Sequence, residues 1–226
     1  MKELADGLQM LGGSPPNAIN VYVAGDVLID AATRQAERRI MRQIAGVNLS
    51  AHALTHAHPD HQGCSRLVCE RRGIPLWCGR EDVGAMESGT ISLSQAPGFV
   101  NRLQKRLWTG PAYPVARALV EGEEVGGFIV LETPGHSVGH VAYWRESDRV
   151  LILGDVLNNV NVRTGLPGLH EPLGIFTPDP ARNRESARRL AALRPRLTLF
   201  GHGAPLRDPG KLADFVDRLP RDWTPA

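Results

Sequence analysis

The sequence predicts an α/β protein built in layers. Three observations carry this. Between residues 19 and 78, short apolar runs alternate with amphipathic stretches in the order strand, helix, strand, helix, strand. Turn signals of the hairpin kind, such as Gly25-Asp26, interrupt the strands, so a mixed sheet is expected rather than a purely parallel one. The 226 residues are 42% hydrophobic and 22% charged, the balance of a chain that buries a core without covalent staples.

The elements follow in order. Residues 19–30 read as two strands around Gly25-Asp26, the second ending at Asp30. Residues 32–45 read as a helix with Ile40, Met41 and Ile44 on its apolar face and Gly46 closing it. A short strand at 52–55 leads into a histidine-rich loop. A helix is expected over 62–72, ending before Gly73, then a strand over 75–78. The stretch 83–119 contains a helix-like piece at 99–108 and is broken by Pro111 and Pro114. It reads as an insertion that covers a pocket or a partner surface. Residues 127–132 form a strand, and 140–144 with 150–153 form a hairpin about a polar turn. The Gly-, Asn- and Pro-rich stretch 158–180 reads as a long loop. A helix over 182–193, a strand over 197–200 and a last helix over 211–219 complete the chain. No linker divides it, so residues 1–226 read as one domain.

Composition narrows the function. Lys plus Arg is 26 against 24 Asp plus Glu, a net charge of +2 that gives no basic surface for nucleic acid or an anionic membrane. Arg34, Arg38, Arg39 and Arg42 read as a solvated helix face. Cys64, Cys69 and Cys78 form no C-x-x-C pair and read as buried thiols of a reducing compartment. Residues 1–10 lack a secretory pattern, and no apolar run approaches the length of a membrane span. The expectation is a soluble cytoplasmic protein with a small-molecule partner; its oligomeric state is left open.

The chemistry lies in His56-Ala57-His58-Pro59-Asp60-His61. Three imidazoles and a carboxylate fall within six residues, just after an apolar strand. Pro59 disfavours helical geometry at His58, so the segment is a loop turning into a helix, which can aim its side chains at common points. His56 and His58 can converge on one ion while Asp60 and His61 face a neighbouring one. Three further strand ends each deliver one ligand-type side chain beside a glycine: His136 after Gly135, Asp155 after Gly154, and His202 between Gly201 and Gly203. The count then closes on two divalent ions. His56, His58 and His136 serve one, Asp60, His61 and His202 the other, and Asp155 bridges them. Ligand type suits zinc, and iron and manganese accept the same set.

These residues resemble the metallo-β-lactamase superfamily, in the branch similar to glyoxalase II. The H-x-H-x-D-H signature is met by His56, His58, Asp60 and His61. The T-P-G-H context is met at His136, the G-D context at Asp155 and the G-H-G context at His202. The resemblance covers about residues 15–205. It implies an αβ/βα four-layer sandwich, two mixed β-sheets face to face and flanked by helices, with the ions at one rim. It also implies a supporting role for Asp30, where the family's D-x-G keeps its aspartate but loses its glycine (Asp30-Ala31-Ala32). His140 reads as a supporting or structural histidine, and His52 as a core or surface one.

The function expected is a metal-dependent hydrolase. A hydroxide activated by the ion pair attacks a small acyl substrate, a thioester or ester, with Asp60 and Asp155 as the carboxylates in the chemistry. A lactonase of the acyl-homoserine-lactone type is the alternative, and a non-catalytic metal-binding scaffold a third reading. β-Lactamases of the family carry cysteine or serine where this chain has Asp155, and its nucleases carry an added domain or arm. Tyr22, Trp108 and Tyr113 are the aromatics expected near a pocket.

Overall fold

The structure is a computed structural model and describes residues 1–89 and 109–221. The chain begins with four strands, β1 (Lys2–Ala5), β2 (Leu8–Met10), β3 (Tyr22–Ala24) and β4 (Val27–Ile29), each antiparallel to the next. β5 (Ala51–Ala53), β6 (Leu76–Gly79) and β7 (Arg117–Leu119) then add in parallel, giving a seven-stranded sheet in the order β1-β2-β3-β4-β5-β6-β7. Parallel neighbours need crossovers. Helix α1 (Glu37–Gln43) makes the first, and α2 (Pro59–Gln62) with α3 (Ser65–Arg72) the second. α4 (Val83–Ser88) follows β6.

β8 (Glu124–Val125), β9 (Phe128–Glu132), β10 (Val141–Arg145) and β11 (Val150–Gly154) form the second sheet as an antiparallel meander. β14 (Leu197–Phe200) joins β11 in parallel, so the order is β14-β11-β10-β9-β8. Between β11 and β14 come a two-stranded hairpin, β12 (Asn158–Val160) with β13 (Pro167–His170), and helix α5 (Pro180–Ala192). Helix α6 (Pro209–Asp217) follows β14. Both late helices start on an aspartate cap with proline at the first turn: Asp179 accepts from Arg182 N and Asp208 from Lys211 N, each at 2.9 Å.

Side-chain alternation sorts the core into three layers. Tyr22, Ile29 and Ala53 of the first sheet meet Phe128, Val130, Tyr143, Ile152 and Leu199 of the second, so the two sheets lie face to face. Val23 and Leu28 turn the other way, onto Ile40, Ile44 and Val68 of the helical layer beyond. Ala142, Leu151 and Leu153 turn away from the second sheet onto Ala187, Leu190, Leu212 and Val216. This is the four-layer sandwich expected. Buried polar ties join the sheets at one rim: Tyr143 Oη donates to Leu54 O at 2.6 Å, Tyr22 Oη to Phe200 O at 2.7 Å, and Asn20 Nδ2 to Phe200 O and Gly203 O at 2.9 and 2.8 Å.

Several expectations change. The helix expected over 32–45 begins with a 3-10 turn at Arg34–Ala36 and is α-helical only from Glu37. The helix expected over 62–72 is two, starting at Pro59. The stretch 158–180 is not a plain loop, since it holds the β12–β13 hairpin and a 3-10 turn at Gly174–Phe176. The N-terminal β1–β2 hairpin was not foreseen. The 99–108 piece lies outside the described residues. Among the described residues, no helix is long and apolar enough to cross a membrane. Cys64, Cys69 and Cys78 are free and buried.

Candidate metal centre

The end of β5 supplies the histidine-rich segment. His58 is extended (φ −75°, ψ 155°) ahead of Pro59, which opens α2 at its first position, so the loop-to-helix transition falls where the proline requires it. His136 comes from the loop after β9, Asp155 from the residue after β11, and His202 from the second residue after β14. All seven side chains face one another. Ring centroids of His56, His58 and His136 lie 4.5 to 4.8 Å apart. His61 sits 4.1 Å from His56 and 5.5 Å from His202. Asp155 stands in the middle: its Oδ1 is 3.6 Å from His61 Nε2, and its Oδ2 is 3.6 Å from His136 Nε2 and 3.2 Å from His202 Nε2. Asp60 Oδ2 is also 3.2 Å from His202 Nε2.

Three groupings bring potential ligand atoms within 4.8 Å of one another: His56, His58 and His136; Asp60, His61 and His202; and His56, His61 and Asp155. The first two are the triplets read from the sequence. The third spans them, with Asp155 between.

The donor chemistry fits cations. The Nε2 atoms of His56, His58, His61 and His136 and Oδ1 of Asp155 are buried without hydrogen-bond partners, which is costly unless something else occupies the centre. Burial, reinforced by neighbouring imidazoles, pushes His56 and His136 well below the ordinary histidine range. Burial likewise takes His58 down to about 4. These three are neutral nitrogen donors. Burial opposes charge on His61 and His202 too, but the carboxylates outweigh it. Asp155 and Asp30 lift His61 to about 10, and Asp155 and Asp60 hold His202 well above its ordinary value. Against the cost of burial, the same contacts keep Asp155 and Asp60 below the ordinary carboxylate range. A centre that draws positive charge this strongly beside three neutral imidazoles is built for cations.

The outer ring nitrogens are fixed in turn. His61 Nδ1 is 2.9 Å from Asp30 Oδ2, which also accepts from Thr55 Oγ1 at 2.8 Å, while Asp30 Oδ1 accepts from Thr55 N at 2.8 Å. Asp30 holds this position at φ +60°, and Ala32, where the family pattern has glycine, stands at φ +52°. His202 Nδ1 donates to Ala18 O at 2.5 Å, and His136 Nδ1 meets Thr177 Oγ1 at 3.1 Å. Such partners set which nitrogen faces inward. His140 faces the backbone instead. Its Nε2 accepts from Asp155 N at 3.1 Å, so Nδ1 carries the proton toward Thr133 Oγ1 at 2.8 Å. His52 is a satisfied core histidine, bonded to Leu28 O and Ser65 Oγ.

Sequence reasoning missed one buried carboxylate. Asp82 is 3% exposed. Its Oδ2 accepts from Ala57 N and Ser137 Oγ, both at 2.9 Å, and its Oδ1 from Gly139 N at 3.0 Å, tying the 56–61 segment to the 133–140 loop. A lone aspartate in Arg80-Glu81-Asp82 offers no sequence signal for this. Thr177 lies 41 residues from the histidine it meets and was equally hidden.

A cavity of about 400 Å³ opens over the cluster, with His58, Asp60, His136, Asp155 and His202 in its lining and the β12–β13 hairpin as one wall. Two of the aromatics expected there are elsewhere. Tyr22 is buried between the sheets, because its hydroxyl finds Phe200 O, and Tyr113 packs on the helical layer beyond the first sheet. Trp108 lies outside the described residues.

Residues 14–202 match the family model of the metallo-beta-lactamase superfamily, and the chain belongs to that superfamily. Among individual relatives it is 29% identical over 213 residues to the probable metallo-hydrolase YflN of Bacillus subtilis, covering 84% of this chain and 80% of that one. It is 29% identical over 139 residues to the hydroxyacylglutathione hydrolase GloC of Haemophilus influenzae, covering 59% and 62%. Among solved structures it is similar to a metallo-beta-lactamase family protein of Thermus thermophilus, TTHA1429, with TM-score 0.68 and 28% identity over 95% of this chain and 79% of that one. It is also similar to TTHA1623 in a di-iron-bound form, with TM-score 0.69 and 28% identity over 91% and 96%.

Proposed function

We propose that this protein is a metal-dependent hydrolase that cleaves a small acyl substrate, a thioester or ester. The observation that carries the reading is the convergence of four partnerless buried imidazole nitrogens with Asp155, in a cluster of which His58, His136 and Asp155 line a cavity. His56, His58 and His136 would hold one divalent ion and Asp60, His61 and His202 a second, with Asp155 facing both. When bound, such a pair supplies Lewis acidity, acidifying water and drawing charge from an acyl oxygen. Zinc is the ion we favour by ligand type, with iron and manganese as the other candidates.

The chain's own groups do the rest. Asp30, Thr177 and the Ala18 carbonyl aim His61, His136 and His202 inward. Asp60, only partly buried at the cavity, is placed to orient water or carry its proton. In the overall reaction the water oxygen bonds the acyl carbon, the C–S or C–O bond breaks, and a water proton ends on the leaving group. The relative named hydroxyacylglutathione hydrolase supports a thioester. Three buried free thiols suit a reducing, cytoplasmic setting.

The test is a hydrolysis panel on purified protein of known metal content, with a thioester, an ester, a lactone, a β-lactam and a phosphodiester. Thioester or ester turnover that disappears on chelation and returns with metal is expected. His136→Ala should lower metal content and rate together. Turnover confined to the phosphodiester, or a rate unchanged after the metal is stripped, overturns the reading.

A further inference from the structure

The hydrolase reading, on which the present inference rests, is narrowed by the chemistry of the cavity walls. These are apolar: Ile19 on one side, Val160 and Val162 from the β12–β13 hairpin, Leu173 and Phe176 from the segment before α5. The same two segments carry exposed apolar side chains, Val162 and Leu166 from the hairpin and Ile175 from the 3-10 turn. Among the described lining residues, each imidazole and carboxylate is already a member of the His/Asp cluster, and neither lysine nor arginine is present. A substrate carboxylate or phosphate would find no counter-charge on these walls, whereas an alkyl chain would be taken out of water along them.

Two amide side chains, Asn158 and Asn161, interrupt the apolar lining. Asn158 is 3% exposed, and its Oδ1 has no hydrogen-bond partner. Its place is fixed, because Asn158 pairs with His170 across the hairpin and the next residue donates its N–H to His202 O at 2.9 Å. The other amide in the lining, Asn161, is already used, accepting from Arg163 N at 3.0 Å and Thr164 N at 3.2 Å. Asn158 lines the same cavity three residues from Asp155, and its buried amide oxygen, left without a donor, is a receptor for a donor that arrives with the ligand.

We propose that the site takes an uncharged acyl compound whose apolar chain lies along the β12–β13 hairpin and whose neutral N–H or O–H, close to the scissile carbonyl, is bound by Asn158 Oδ1. Asn158 is then the residue that selects donor-bearing substrates, and the hairpin is what reads chain length.

The experiment uses metal-loaded protein and ethanethiol thioesters of two to eight acyl carbons, each unsubstituted, 2-hydroxy or 2-acetamido, together with a glutathione thioester. The matching methyl ketones, which cannot be hydrolysed, are titrated by calorimetry. A methylene buried here corresponds to roughly a fourfold gain, from about 0.8 kcal/mol each. So kcat/KM and ketone affinity should climb about fourfold per carbon until the cavity fills. Donor-bearing acyl groups should exceed unsubstituted ones by about tenfold, and the hydroxy and acetamido arms show which donor is preferred. Asn158→Leu should erase that ratio. A flat chain-length series, a preference for the charged glutathione thioester, or a donor ratio that survives Asn158→Leu overturns the proposal. If Asn158→Leu does not fold, the ketone series on the unaltered protein still decides it. If neither these thioesters nor the matching ethyl esters are turned over, the hydrolase reading falls, while the ketone affinities continue to judge the pocket on their own.

Discussion

Replacing Asp82 with alanine removes one carboxylate and three hydrogen bonds at once. The carboxylate is buried, and its partners are Ala57 N, Ser137 Oγ and Gly139 N at 2.9 to 3.0 Å. Burial raises its pKa and the donors pull it back, with burial the larger. Alanine leaves two backbone N–H groups in the interior without acceptors, at about 1–3 kcal/mol each. The expected loss is about 3–5 kcal/mol, a large share of the roughly 5–15 kcal/mol that holds a typical domain. Asparagine separates the effects. With its oxygen on the Ala57 and Ser137 side it keeps two bonds and turns an N–H₂ toward Gly139 N, so it should cost about 1–3 kcal/mol. Urea unfolding at saturating metal measures both variants. Metal affinity should fall in the same order, since the tied loops carry His56, His58 and His136. An alanine variant within about 1 kcal/mol of the parent, or an asparagine variant as unstable as alanine, would refute this account of the clamp.

Other perturbations draw on the same geometry. Asp30→Asn weakens the hold on His61 Nδ1 and should reduce metal affinity roughly 10- to 100-fold; competition against a chromophoric chelator reads it, and an unchanged affinity counts against the role. A methyl group at Gly201 would lie 2.0 Å from Asp155 Oδ1 and 2.7 Å from His61 Cε1, so Gly201→Ala should empty the centre, whereas Gly46→Ala, with nothing within 4 Å, should not. If the centre binds metal at about 1,000 times its Kd, binding contributes about 4 kcal/mol. Chelation should then lower Tm by about 10 °C for a chain of this size, and a Tm indifferent to chelation would argue against a resident ion.

Much of this was legible in the chain. β14 falls over the residues read as a strand, and the β3–β4 and β10–β11 hairpins form about the turns that Gly25-Asp26 and residues 146–148 announce. Pro59 located the loop-to-helix step because its constraint on His58 is local. What escaped depends on distant partners. The β12–β13 hairpin forms in a Gly/Asn/Pro-rich stretch of poor strand propensity, where the chain bridges Asn159 to Gly203 beside β14. Asp82, Thr177 and Asn158 matter through groups that folding brings to them, and a single sequence records none of those meetings. The β1–β2 hairpin did carry a local signal, Asp6-Gly7 between apolar residues, which sequence reasoning passed over.

Four of the seven clustered side chains hang from the end of β5 in one sheet, and three from β9, β11 and β14 in the other. An ion gripped from both sides is a gauge of how the halves are seated. Slippage of one sheet over its neighbour by an ångström would spoil the grip while leaving every strand and helix intact. On heating, the visible spectrum of a cobalt-substituted sample should therefore change before the far-ultraviolet circular dichroism does.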